Sequence, residues 1–225
     1  GNFRASEFAA DLFKVATRSG DTSRDYSDPV EFYNRTYLTE GLQDLIGGAV
    51  HRLRGDPNAS PVVNLQTTFG GGKTHSMLAL WHLAAGRQIT DFPQGVQDLL
   101  NAHRYRDIPA GINRVAIVGN HFAASGEDRG DIHVNTVWGE LAWQLGGTDG
   151  YELVRQADET STAPGEALHE LLEYFAPAVI LIDEWVAYAR QLVGREGLAG
   201  GTCETQFTFA QSLTEAVKAT PGVLL

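Results

Sequence analysis

The chain has 225 residues, 43% of them hydrophobic and 20% charged, with a formal net charge of −11. That length suits one sizeable globular core, the acidic balance disfavours broad contact with a nucleic-acid backbone, and no apolar run is long enough to span a bilayer. Cys203 is the single cysteine, which excludes an internal disulfide and fits a reducing cytoplasm.

Residues 1–58 read as helical. Phe8, Ala9, Leu12 and Val15 make a helical stripe across 6–15. The polar stretch 18–27 reads as a loop. Asp28-Pro29-Val30-Glu31 is a helix start, with Asp at the N-cap, Pro at N1 and Glu at N3. Leu42, Leu45, Ile46 and Val50 predict a further helix over 39–53, and Gly55-Asp56-Pro57-Asn58 ends it. His51-Arg52-Leu53-Arg54 and His103-Arg104-Tyr105-Arg106 are small basic patches that read as solvated helix ends or loops.

The apolar run Pro61-Val62-Val63-Asn64-Leu65-Gln66 predicts a strand. Thr67-Thr68-Phe69-Gly70-Gly71-Gly72-Lys73-Thr74 follows, and Met77-Leu78-Ala79-Leu80-Trp81 begins a helix. Strand, glycine-rich turn, Lys-Thr and helix is the layout of a phosphate-binding loop. Glycines let backbone N–H groups converge on phosphate oxygens, and the helix N-terminus adds partial positive charge. Phe69, Gly70, Gly71, Gly72, Lys73, Thr74 and His75 are the candidate nucleotide-binding residues. Lys73 suits the β- and γ-phosphates and Thr74 suits Mg²⁺. Thr67 stands where the usual pattern has its first glycine.

Farther along, 86–113 reads as loop and short helix, and Arg114-Val115-Ala116-Ile117-Val118 as a buried strand. Asn120 lies just past its carboxyl end, where open α/β sheets bind ligands. The Gly- and Asp-rich stretch 123–135 reads as a lid, a partner loop or a plain surface loop. Helices are expected at 136–145, 151–157 and 165–175. Ala178-Val179-Ile180-Leu181-Ile182-Asp183-Glu184 is an apolar run ending in two acids, a buried parallel strand with both carboxylates at its carboxyl end. Asp183 suits the Mg²⁺ shell, and Glu184 suits a water-activating base. Helices at 185–192 and 207–217 and a new apolar run at 222–225 complete an α/β pattern with a parallel sheet. His75 and His82 share a helical face with no third metal ligand in view. Trp143 and Trp185 read as core or interface aromatics, and Arg190 as a surface or salt-bridge residue rather than an arginine finger.

Several blocks resemble the DUF499 family of large prokaryotic ATPases: 28–42, the loop 66–77, Thr136-Val137-Trp138-Gly139-Glu140-Leu141-Ala142-Trp143, and 181–190. The resemblance spans essentially the whole chain. It implies an AAA-type P-loop ATPase core with a helical N-terminal extension over 1–58 and the nucleotide-binding core over 59–225, at the start of a longer protein. It implies that the strand at 222–225 is the fourth of its sheet, lying between the P-loop strand and the Asp183 strand, with later strands truncated. Asn120 is then either a residue orienting Glu184 or the attacking water, or a strand-end turn residue. The family's link to anti-phage defence and DNA modification is an association.

Three functions follow as expectations. The first is Mg²⁺-dependent ATP hydrolysis, with Glu184, Lys73 and Asn120 as catalytic residues and Thr74 and Asp183 on the metal. It would drive conformational work on a DNA or protein partner in the cytoplasm, with no membrane contact and with room for a homo-oligomer. The second is a nucleotide-gated scaffold with little turnover. The third is a small-molecule kinase, which the Asp-Glu pair and the N-terminal helices disfavour. No guanine-specifying Asn-Lys-x-Asp motif is present, so ATP is the expected nucleotide.

Overall fold

A short parallel sheet organises the molecule. In the computed structural model, which describes residues 11–18, 24–66, 72–195 and 197–225, β1 (Asn113–Val118) pairs with β4 (Ala178–Asp183), and β4 pairs with β5 (Val223–Leu224), all parallel. The register sets Val118 opposite Asp183, so β1 and β4 end level. The segment 61–66 carries no regular strand. It still lies along β5, because Val63 donates to the Leu225 carbonyl at 2.8 Å and Leu225 to the Pro61 carbonyl at 2.9 Å. Those two bonds are a parallel-type ladder centred on Val62. Residues 222–225 therefore lie between the 61–63 segment and the Asp183 strand.

The strands are apolar on both faces because helices cover both. On one side Ala116, Val179, Leu181 and Leu224 join a core with α1 (Leu12–Thr17), α3 (Pro29–Asn34), α4 (Glu40–Leu53), α5 (Lys73–Leu83) and α6 (Gln94–Ala102). On the other side Val115, Ile117, Ala178, Ile180 and Val223 pack against α7 (Val137–Glu159), α8 (Glu166–Phe175), α9 (Trp185–Gln191) and α10 (Cys203–Ala219). The fold is thus α/β, a small parallel sheet flanked by helices, and the helices of 1–58 share a core with one sheet face. Among the described residues no helix is long and apolar enough to cross a membrane.

Local chemistry sets the ends of these elements. Asp28 caps α3 by accepting from the N–H groups of Val30 and Glu31, with Pro29 in its first turn, as the sequence predicts. Thr39 caps α4 through Leu42. The Thr202 side chain and Thr205 form a capping box that starts α10 at Cys203, four residues before the periodicity becomes legible at Phe207.

Further expectations change. The stretch 18–27 contains a short helix, α2 (Arg24–Ser27). The stretch 123–135 is not a plain loop: β2 (Glu127–Arg129) and β3 (Ile132–Val134) form an antiparallel hairpin. Arg129 anchors it with two hydrogen bonds to the buried Glu140, at 3.0 and 2.9 Å, which no local pattern announces. The helices at 136–145 and 151–157 run together as α7, broken only at Gly146 and Gly147, where Gly147 has φ +58. A side chain on Gly146 would run into the Phe175 ring. Finally, Arg52 is not solvated. It is 2% exposed and donates to the carbonyls of Val217, Thr220 and Val223 at 2.7–2.8 Å.

One buried carboxylate organises the second core. Asp158 accepts from the Asn135 and Thr136 backbone N–H groups, the Asn135 amide, the Thr136 hydroxyl and the Tyr151 hydroxyl, at 2.5–3.0 Å. It fixes the start of α7 from the far end of the same helix.

Candidate functional site

The site is built where α5 begins and β4 ends. Gly72 precedes α5 with φ +81, a left-handed conformation that favours glycine. Among the described residues no side chain caps α5, and its first turn holds no acid, so the N–H groups that open the helix keep their capacity for an anion. The helix is held rigidly from behind, since Met77, Leu78, Ala79, Leu80, Trp81, His82 and Leu83 are all buried. The buried Tyr33 hydroxyl donates to the Ala79 carbonyl at 2.7 Å.

Lys73 leads this helix, exposed and without an ion pair among the described residues. It shares a cavity of about 590 Å³ with Asp183 and Glu184; Asn64, Leu65 and Thr214 also line it. Asp183 is half-buried, and its Oδ1 accepts from the Glu184 N–H at 3.0 Å. Glu184 is exposed, with φ +52, an uncommon conformation for a residue with a side chain. Its carbonyl accepts from Ala187 N–H at 2.9 Å and so opens α9. The neighbouring Trp185 indole donates to Gln206 at 3.2 Å, and buried Gln206 donates in turn to the Gly200 carbonyl at 3.1 Å. This chain from Trp185 to Gly200 steadies the backbone after Glu184, and the sequence gives no sign of it.

The other predicted residues are distributed around this centre. Thr74 is half-buried in the first turn of α5. The His75 ring turns to the N-terminal helices: its Nε2 lies 3.1 Å from the Thr36 hydroxyl and its centroid 4.6 Å from that of Phe32. Burial lowers its pKa. His82 also touches Phe32, at 5.0 Å between centroids, which bears out the shared face of the two histidines. Asn120 is exposed in the turn after β1, where Gly119 N–H donates to the Asp183 carbonyl at 2.9 Å; it does not line the cavity. Phe69, Gly70 and Gly71 lie outside the described residues. Arg190 is exposed on α9, while Trp143 and Trp185 are half-buried against the second core.

Among the described residues no group of three or more His, Cys, Asp or Glu could form an all-protein metal site. A Mg²⁺ ion needs less protein than that, because it keeps several waters and takes phosphate oxygens beside one or two carboxylates. One carboxylate at Asp183 and one hydroxyl at Thr74 fit such an ion chemically.

No curated protein and no solved structure matches the chain. The family model described as the DUF499 N-terminal domain matches residues 3–225. The chain therefore belongs to the DUF499 N-terminal domain family.

Proposed function

We propose that this chain is the nucleotide-binding core of an AAA-type P-loop ATPase that hydrolyses Mg²⁺-ATP. The observation that carries the reading is the meeting of Lys73, from the uncapped start of α5, with Asp183 and Glu184, from the end of a parallel strand, on one cavity. The position of 222–225 between the 61–63 segment and β4 supports the same fold.

Each residue then has a chemical task. The α5 N–H groups and the Lys73 ammonium bind the phosphates and neutralise charge that grows on them. Asp183 and Thr74 would hold Mg²⁺, which would supply further charge neutralisation. The Glu184 carboxylate accepts the proton of the attacking water. Hydrolysis drives conformational work on a nucleic-acid or protein partner within a longer cytoplasmic protein.

Calorimetric titration of Mg²⁺-ATP into the wild type and a Lys73→Ala variant tests the site. The reading predicts binding by the wild type and loss of at least about two orders of magnitude in affinity for the variant. Equal affinity in the two proteins would remove Lys73, and the loop with it, from the nucleotide site.

A further inference from the structure

A second cavity, of about 610 Å³, lies at the opposite end of α5. Trp81 and His82, in the last turn of α5, line it, and so does Arg114 at the start of β1. Trp81, at its edge, follows Lys73 by eight residues on the same helix, about 12 Å along the axis. The two cavities therefore occupy opposite ends of the parallel strands.

Its charge is unlike that of the chain. In a protein of net charge −11, Lys14, Arg18, Arg87 and Arg114 all line this one cavity. Asp28 is the one carboxylate lining it among the described residues, and its Oδ1 already accepts the two N–H groups that open α3. Lys14 has Asp11 at 3.6 Å, but among the described residues no carboxylate stands within ion-pair distance of Arg18, Arg87 or Arg114. Burial and then the like charge of Arg18 lower the Arg114 pKa.

The Arg114 guanidinium is prearranged. Arg114 lies 4.3 Å over the Trp81 ring and donates to the Trp81 carbonyl at 3.1 Å, which fixes its plane and leaves other N–H donors unused. Arg18 closes α1 in a left-handed conformation, φ +52, its N–H donating to the Lys14 carbonyl. Fixed forked donors beside a cleft match the paired oxygens of a phosphate group better than a point charge does. The volume falls in the range of small-ligand pockets.

We propose that this cavity binds a phosphate-bearing ligand at a site separate from the Lys73 cavity. The phosphate belongs either to a small polyphosphate or to a nucleic-acid backbone, and the test tells them apart. A Lys73→Ala protein serves as the parent, so that the start of α5 contributes nothing. Inorganic pyrophosphate and a single-stranded oligothymidylate are titrated separately into this parent and into its Arg18→Ala/Arg87→Ala derivative, both measured by calorimetry. Arg18 and Arg87 are exposed, so the fold survives their removal, and circular dichroism checks this. The inference predicts binding by the parent and an affinity at least about tenfold weaker in the derivative. An Arg114→Gln derivative should weaken binding similarly. Pyrophosphate as the only ligand identifies a small polyphosphate, and oligothymidylate binding identifies a nucleic-acid backbone. Equal affinity in parent and derivative, or no binding of either probe at millimolar concentration, would overturn the inference. Because Lys73 is absent throughout, the outcome is independent of the ATPase reading.

Discussion

A Cβ placed on Gly119 would stand 2.2 Å from the carbonyl oxygen of Glu184 and 3.0 Å from the Cβ of Tyr188. Real Cβ atoms do not approach backbone that closely, so the turn after β1 and the backbone of Glu184 can be neighbours only because residue 119 is glycine. Gly119→Ala must push Glu184 away. The expected result is a fall of about a hundredfold in ATP turnover, with nucleotide affinity close to wild type because the Lys73 helix is untouched. Steady-state turnover beside an equilibrium titration separates the two effects.

Arg52 joins α4 to the end of α10 and to β5 through three carbonyls. Its guanidinium stays charged at any physiological pH, and burial makes each of those bonds matter. Arg52→Met would strand the three acceptors in an apolar setting and cost about 3 kcal/mol. Urea denaturation should show the midpoint falling with little change in slope. β5 flanks the segment 61–63, which precedes the proposed nucleotide site, so nucleotide affinity should weaken along with stability.

Burial holds the His82 imidazole down to about 4, from an ordinary value of 6.5, with the bond to the Tyr26 carbonyl and the charge of Asp28 opposing and Arg114 assisting. A carbonyl can only accept, so Nε2 carries the proton of the neutral ring. The folded pKa is below the unfolded one, so the unfolded chain takes up a proton first as pH falls. Stability is full above about pH 6.5 and declines down to about pH 4, by about 3 kcal/mol in all. His82→Leu should flatten the stability profile across that window, even though losing the bond to Tyr26 lowers the plateau. Chemical denaturation at a series of pH values reads both.

Asp158 receives five hydrogen bonds and is fully buried. Asp158→Asn keeps the shape but turns an N–H₂ group toward donors. A loss of about 3 kcal/mol is expected, visible as a lower thermal midpoint. The start of α7 and the hairpin of β2 and β3 should lose amide-exchange protection first.

The sequence made part of this legible, for physical reasons. Lys73, Asp183 and Glu184 stand out because each belongs to a local pattern: glycines before a helix, or acids ending an apolar run. Asp28 is equally local, since a cap acts within three residues. Arg52 is opaque because its acceptors lie 165 to 171 residues away, and its neighbours His51 and Arg54 make it resemble a solvated patch. Asp158 acts across 22 residues on Thr136. The hairpin at 127–134 lacks alternation, and a buried partner for Arg129 holds it in place. Arg18, Arg87 and Arg114 are scattered along the chain, and only folding gathers them.

The most direct test of the central claim is Mg²⁺-ATP turnover by the full-length protein beside its Glu184→Gln variant, with nucleotide binding measured on both. Turnover is expected from the wild type, and the variant should bind ATP with similar affinity but hydrolyse it at least about a hundredfold more slowly. Equal turnover in the two proteins, or none in the wild type despite tight binding, would contradict it.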